Sequence, residues 1–261
     1  LSSDDVGNHS TAIGHGALDA GTTVNGNTAI GTDAMGGSLT GSYNTAVGYN
    51  AMLTAAGVSG TTAIGNQALD ALTTGDNNTG VGSGALGGTT TGAANTAVGF
   101  GALLANTTGG ESVAIGKEAL NVCTTDSNNT AVGTESFKSV NGATQGVALG
   151  KTAGTSVTSG NYNHCIGAYS GKLITTGGNN VCLGHEAGTV ITTGDANVIL
   201  GGGADTAASG DSTTIVVGYN SEGKGASTGF MNANSGGNYA GNNSASWSTT
   251  SDRRIKKNIT D

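Results

Sequence analysis

Glu118 and Glu135 stand 17 residues apart, and Cys165 and Cys182 repeat that interval. If the chain stacks residues 17 apart, the two carboxylates come to about 5 Å, the separation at which retaining glycosidases hold an acid and a nucleophile. The plainer reading is two exposed acids offset by Lys117 and Lys151. At the same interval the two thiols read as small buried hydrophobes, with a disulfide between neighbouring turns as the alternative. Cys123 is the third cysteine, and there is no Cys-x-x-Cys pair, so neither a zinc site nor a disulfide framework follows. His15 and His185 lie ten repeats apart, and His9 and His164 fall elsewhere, so no metal cluster emerges. The run Gly201-Gly202-Gly203 comes from a repeat and is no phosphate loop. No metal and no cofactor is expected.

The element that must position these residues is the repeat itself. A string close to Asn-Thr-Ala-Ile/Val-Gly recurs, and its closing glycine falls at Gly14, Gly31, Gly48 and onward to Gly218, thirteen times at a constant step of 17. No insertion or deletion interrupts the series. Globular loops tolerate length changes, so a strict step implies stacked units whose equivalent positions form ladders. Gly, Thr and Asn are too dense for helix, and no 3.6 period appears. The expected fold is all-β, a parallel β-solenoid of thirteen 17-residue coils. At about 4.8 Å per coil this makes a rod of roughly 60 Å.

The ladders carry expectations about packing. The residue before each anchor glycine is always branched or aliphatic, for example Ile64, Val98, Ile115 and Leu183. Such residues favour strands and bury well, so this ladder is expected to be the core. Thr62, Thr96, Val113 and Val181, two residues earlier, share its face by the period of two. The residue between is nearly always Ala, becoming Cys165, Cys182, Ile199 and Val216 late in the array. A small residue there suggests a second, crowded surface such as another chain. Four residues after the anchor, Leu, Met or Phe through Phe137 gives way to Gly154, Gly171 and Gly188, so the cross-section should narrow or repack near residue 150. Thr pairs such as Thr90-Thr91 read as the outer turn. Asn78, Asn95 and Asn129, opening their strands, are expected to form a hydrogen-bonded ladder.

Composition limits the function classes. The 261 residues include 49 Gly and no Pro, with only 10% charged and 4% aromatic residues. There is no Gly-X-Y triplet and too little charge for a disordered chain. Net charge is −8, but residues 1–250 hold five Lys and no Arg against fifteen acids, a balance of −10. An acidic surface argues against nucleic acid and anionic membranes. No run of about eighteen apolar residues occurs, so no membrane insertion is expected. A start at Leu1 rather than Met suggests a fragment. Thin coils of Ala and Val bury little, about 1–2 kcal/mol each at best. Ordering costs near 1.5 kcal/mol per residue therefore favour several chains side by side, expected to bury the Ala and Leu ladders between subunits.

The unit Asn-Thr-Ala-Ile-Gly-x-x-Ala-Leu…Thr-Thr-Gly, over residues 10–220, resembles the head repeats of trimeric autotransporter adhesins and similar arrays in phage tail fibres. The resemblance implies a left-handed parallel β-roll assembled as a homotrimer. The segment Ser251-Asp252-Arg253-Arg254-Ile255-Lys256-Lys257-Asn258-Ile259 resembles the opening of the intramolecular chaperone domain of endosialidase-type tail spikes and fibres. That resemblance implies a domain that trimerises the fibre and cuts itself off beside Ser251. Ser251 would be the nucleophile and Lys256 its base, which needs a lysine of lowered pKa close to the hydroxyl.

The expected organisation is residues 1–9 as an N-terminal flank, 10–220 as the shaft, 221–250 as a Gly/Asn/Ser-rich cap or linker, and 251–261 as the start of the chaperone. The expected function is the structural shaft of a tail fibre on a virion. It would serve host attachment, with a glycan or outer-membrane component as receptor. The shaft itself is not expected to be an enzyme. Alternatives are a bacterial trimeric surface adhesin and a glycan-degrading tail spike. Ice binding by Thr ladders ranks last, because the strand Thr gives way to Val and Ile.

Overall fold

A computed structural model describes residues 9–21, 25–232, 237–240 and 248–249. Thirteen three-residue strands, β1 (Thr11–Ile13) through β13 (Ile215–Val217), each lie just before an anchor glycine. Each pairs in parallel with the next, in a register offset by one whole repeat, as in Thr96↔Val113 and Cys165↔Cys182. The result is the β-solenoid that the constant interval demands. A further strand, β14 (Gly229–Asn232), adds in parallel to β13 after a shortened step, with Ile215 opposite Gly229. Strands β15 (Gly237–Ala240) and β16 (Ser248–Thr249) then run antiparallel. The C-terminal end of the stack is thus closed by a different pairing. Within it Phe230 is buried, with the Lys224 ammonium 4.8 Å from its ring centre.

The facing of the strands is the reverse of the expectation. The middle residue points into the coil: Ala29, Ala46, Ala114 and Ala148 are fully buried, as are Cys165, Cys182 and Ile199. The residues on either side point outward, with Ile64 40%, Ile115 39% and Leu183 46% exposed. The branched ladder is therefore a surface. The physical reason is room. Leu69, Leu86, Leu103 and Leu120, from the opposite wall, fill the inside of their coils. A Cβ built on Gly80, the one glycine at the middle strand position, would stand 3.2 Å from the Leu69 side chain. Only a small residue fits opposite a leucine, and branched residues are left outside. The Ala and Leu ladders are thus buried within one chain and are not the boundary between chains.

The repacking near residue 150 is present, and its cause is a size exchange. Phe137 is the last bulky residue of its column, and its ring occupies the space that side chains at Gly146 and Gly154 would need. Gly146 interrupts the Asn ladder for that reason. Beyond it the Cys165 sulfur fills the space over Gly171, and the Cys182 sulfur the space over Gly188. Val157, Ile174 and Ile191, seven residues after their anchors, complete the new interior. Bulk has moved from one wall of the coil to the other two.

The Asn ladder is the polar half of the core. The Asn95 backbone N–H donates to Asn78 Oδ1 at 3.0 Å, and Ser112 N–H donates to Asn95 Oδ1 at 3.1 Å. Asn95 Nδ2 donates to the Gly109 carbonyl at 2.8 Å. Each side chain thus ties its strand to the turn of the following coil and satisfies backbone groups that burial would otherwise orphan.

Candidate functional site

Ser251 and Lys256 lie outside the described residues. Glu118, Glu135, His15 and His185 occupy the corner that follows each anchor glycine. There the chain takes left-handed backbone at the second and fourth residues, as at Glu118 (φ 55) and Leu120 (φ 51). That alternation sends the first two side chains outward and the next two inward, so chemistry-bearing residues in this corner collect on the surface.

Glu118 and Glu135 do become neighbours, but a lysine that sequence reasoning overlooked stands between them. Lys138 Nζ donates to Glu118 Oε2 at 2.7 Å and to Glu135 Oε1 at 3.3 Å. Lys117 adds a looser contact to Glu118 at 3.6 Å. The hydrogen bond from Lys138 holds the Glu118 carboxyl below its ordinary value, and the same bond raises the lysine. A general acid in glycoside cleavage needs a raised carboxyl and open space before it. Glu118 has neither. The signal for Lys138 was available: it lies three residues after Glu135 and twenty after Glu118, one repeat plus three.

The histidines stay apart. His15 Nδ1 is 3.9 Å from Asp33, and His185 Nδ1 is 3.8 Å from Glu186. His164 sits on the outward strand face with its Nδ1 buried and unpartnered. Among the described residues no three His, Cys, Asp or Glu side chains gather as metal ligands. No helix among them is long and apolar enough to cross a membrane. A shallow hollow lined by Thr91, Thr108, Glu111, Ser127 and Asn128 holds a single carboxylate.

Cys123, Cys165 and Cys182 are free and buried. Cys165 and Cys182 are direct partners across β10 (His164–Ile166) and β11 (Val181–Leu183). The hydrogen bond that the Cys182 thiol donates to Cys165, together with burial, pushes the Cys182 thiol well up. Burial, with the Asp126 charge beside it, pushes Cys123 up to about 12. Thiolate is the reactive form. A water-soluble maleimide at pH 8 is therefore expected to label none of the three thiols in the folded chain and all three in denaturant. Labelling of Cys165 or Cys182 within minutes under native conditions would contradict a closed interior.

The outward strand face is a further candidate surface. It runs the length of the stack with two side chains per coil, and His164 is the one titratable group on it among the described residues. Exposed aromatics flank it. Tyr49, Phe100 and Tyr219 follow their anchor glycines, and Tyr43 and Tyr162 precede theirs by five residues. Exposed apolar patches beyond a few hundred Å² mark interaction sites. No protein-family profile, no curated protein and no solved structure matches the chain.

Proposed function

We propose that this chain is the structural shaft of a phage tail fibre, assembled as a homotrimer through its outward strand face. The observation that carries the reading is the outward strand face, where the residue before each anchor glycine is Ile, Val or Leu in all thirteen coils and His164 is the one titratable side chain among the described residues. A face of Ile, Val, Leu and Thr about 60 Å long, at about 4.8 Å per coil, is a poor water-facing surface and a good partner for copies of itself. Equivalent coils of parallel chains lie at the same height, so every layer meets its own kind. A stable interface needs about 800 Å² from each partner, and a ladder over thirteen coils with its aromatic flanks supplies area on that scale. The number three comes from the resemblance of the repeats to adhesin heads and fibre arrays. The assignment to a tail fibre on a virion comes from the chaperone-like segment. In that reading Ser251 and Lys256 release the chaperone once the trimer has formed, and the mature fibre contacts a host surface glycan or outer-membrane component.

Native mass tests the assembly. The expected result is three times the 25.0 kDa of one chain, persisting on dilution. A chain that stays monomeric at micromolar concentration would remove the fibre reading. The bacterial surface adhesin shares this architecture, and a parent chain found anchored in an outer membrane would select it.

A further inference from the structure

Coils 7–8 and coils 9–10 hold the same corner twice, 34 residues apart. Lys117, Glu118, Glu135 and Lys138 in the first pair correspond to Lys151, Thr152, Tyr169 and Lys172 in the second. The two lysines are kept and both carboxylates are gone. In the first pair the Lys138 ammonium is satisfied at 2.7 Å by Glu118 and at 3.3 Å by Glu135. In the second, the Lys151 and Lys172 ammonium groups each stand 5.7 Å from the centre of the Tyr169 ring. Neither has a carboxylate within ion-pair distance among the described residues. Thr152, in the place of Glu118, has its hydroxyl buried without a partner. His185 meets the Tyr169 ring edge-on at 6.0 Å between ring centres. Its neighbour Glu186 faces the imidazole, and Glu135 below is held by Lys138.

From this internal comparison we infer that Lys151, Tyr169 and Lys172 form a lateral binding site for a terminal carboxylated sugar. The ligand carboxylate takes the place that Glu118 and Glu135 hold two coils earlier. There it receives charge-assisted hydrogen bonds from ammonium groups that the chain itself leaves without an anion. Tyr169 supplies an apolar surface and a hydroxyl for the sugar ring, the mixture that saccharide sites use. The rest of the shaft narrows the class of ligand. Residues 1–250 carry a balance of −10, which repels dense polyanions at long range. An isolated carboxylate on an otherwise neutral glycan avoids that repulsion. The site deepens the attachment reading given above, since it places a receptor contact on the side of the shaft.

The probes are 3′-sialyllactose and a glucuronate-terminated disaccharide, titrated into the assembled chain against lactose. Both acidic sugars are expected to bind at least about tenfold more tightly than lactose, with affinity falling as salt rises. Lys151→Gln, Lys172→Gln and Tyr169→Asn should each lose about tenfold; Asn suits the left-handed backbone at Tyr169 (φ 61). The decisive variant is Thr152→Glu, which restores the carboxylate found at Glu118. Glutamate already occupies this backbone conformation in three coils, at Glu118, Glu135 and Glu186. Thr152→Glu should therefore keep its circular dichroism and native mass yet lose acidic-sugar binding. Lys138→Gln should bind as the wild type does. Equal affinity for lactose, binding untouched by Thr152→Glu, or no binding at all would overturn the site. If the wild type adsorbs to host cells and Thr152→Glu adsorbs equally, the lateral site falls and the fibre reading stands.

Discussion

Gly116→Val is expected to cut the solenoid in two. Gly116 lies at φ +131, a conformation that side chains rarely adopt. A Cβ there would stand 2.6 Å from the carbonyl carbon and oxygen of Gly133 and 3.0 Å from Thr134 N. The neighbour that must yield is backbone, fixed by its own ladder: Gly133 N–H donates to the Ile115 carbonyl at 2.7 Å, and Gly116 N–H to the Val98 carbonyl at 2.8 Å. Coils cannot keep their spacing of about 4.8 Å with a side chain between them. The cost should exceed about 4 kcal/mol, the level reserved for strain and lost packing together. In a stack where each unit touches only its neighbours, such a loss at one junction uncouples the two sides. Urea unfolding should show two transitions where the parent shows one. Gly57→Ala is the control, because a Cβ at Gly57 meets nothing within 4 Å. A single transition at the parental midpoint for Gly116→Val would refute the close backbone contact.

A pair of lysines on the strand face is expected to separate the proposed trimer without unfolding the chain. In Ile64→Lys/Ile115→Lys both altered side chains point away from their coil, being 40% and 39% exposed. The monomer can hydrate the new charges. An assembled face cannot, and an unpaired buried charge costs about 3–5 kcal/mol. Native mass should fall to 25.0 kDa while circular dichroism is kept. Moving the substitution by one residue should invert the outcome. Ala114 is fully buried inside its coil, so Ala114→Lys should disrupt the fold itself. If Ile64→Lys/Ile115→Lys remains trimeric, the face is not the contact between chains.

The two variants at 114 and 115 locate where sequence reasoning failed. The repeat length, the strand positions and the in-register stacking were legible, because a ladder of identical positions needs no side-chain detail. The Asn ladder and the exchange near residue 150 were legible for the same reason. The facing of the strand was not. Period two says that Val113 and Ile115 share a side of their strand, but not which side is inside. Treating branched residues as core assumed a roomy interior. In a 17-residue coil the opposite wall has already filled the space with Leu, so alanine is the interior residue. The inner column seven residues after each anchor was also missed. It mixes Leu72, Thr89, Asn106, Cys123 and Val140, all buried, and no single residue type marks it. Lys138 went unnoticed because its two partners lie in different coils.

The constant interval of 17 residues also makes the solenoid a ruler. The coils anchored from Gly14 to Gly133 share one interior pattern and those from Gly150 to Gly184 another, so removing or duplicating a whole unit within either run leaves matching surfaces on both sides of the join. Reach would then change in whole increments of about 4.8 Å, with the strand face continuous across the seam. Deletion of a partial unit would rotate every later side chain out of its column. The length of the solenoid is thus set by a count of units, and each whole-unit change within a run of like coils should leave a folded stack one rung longer or shorter.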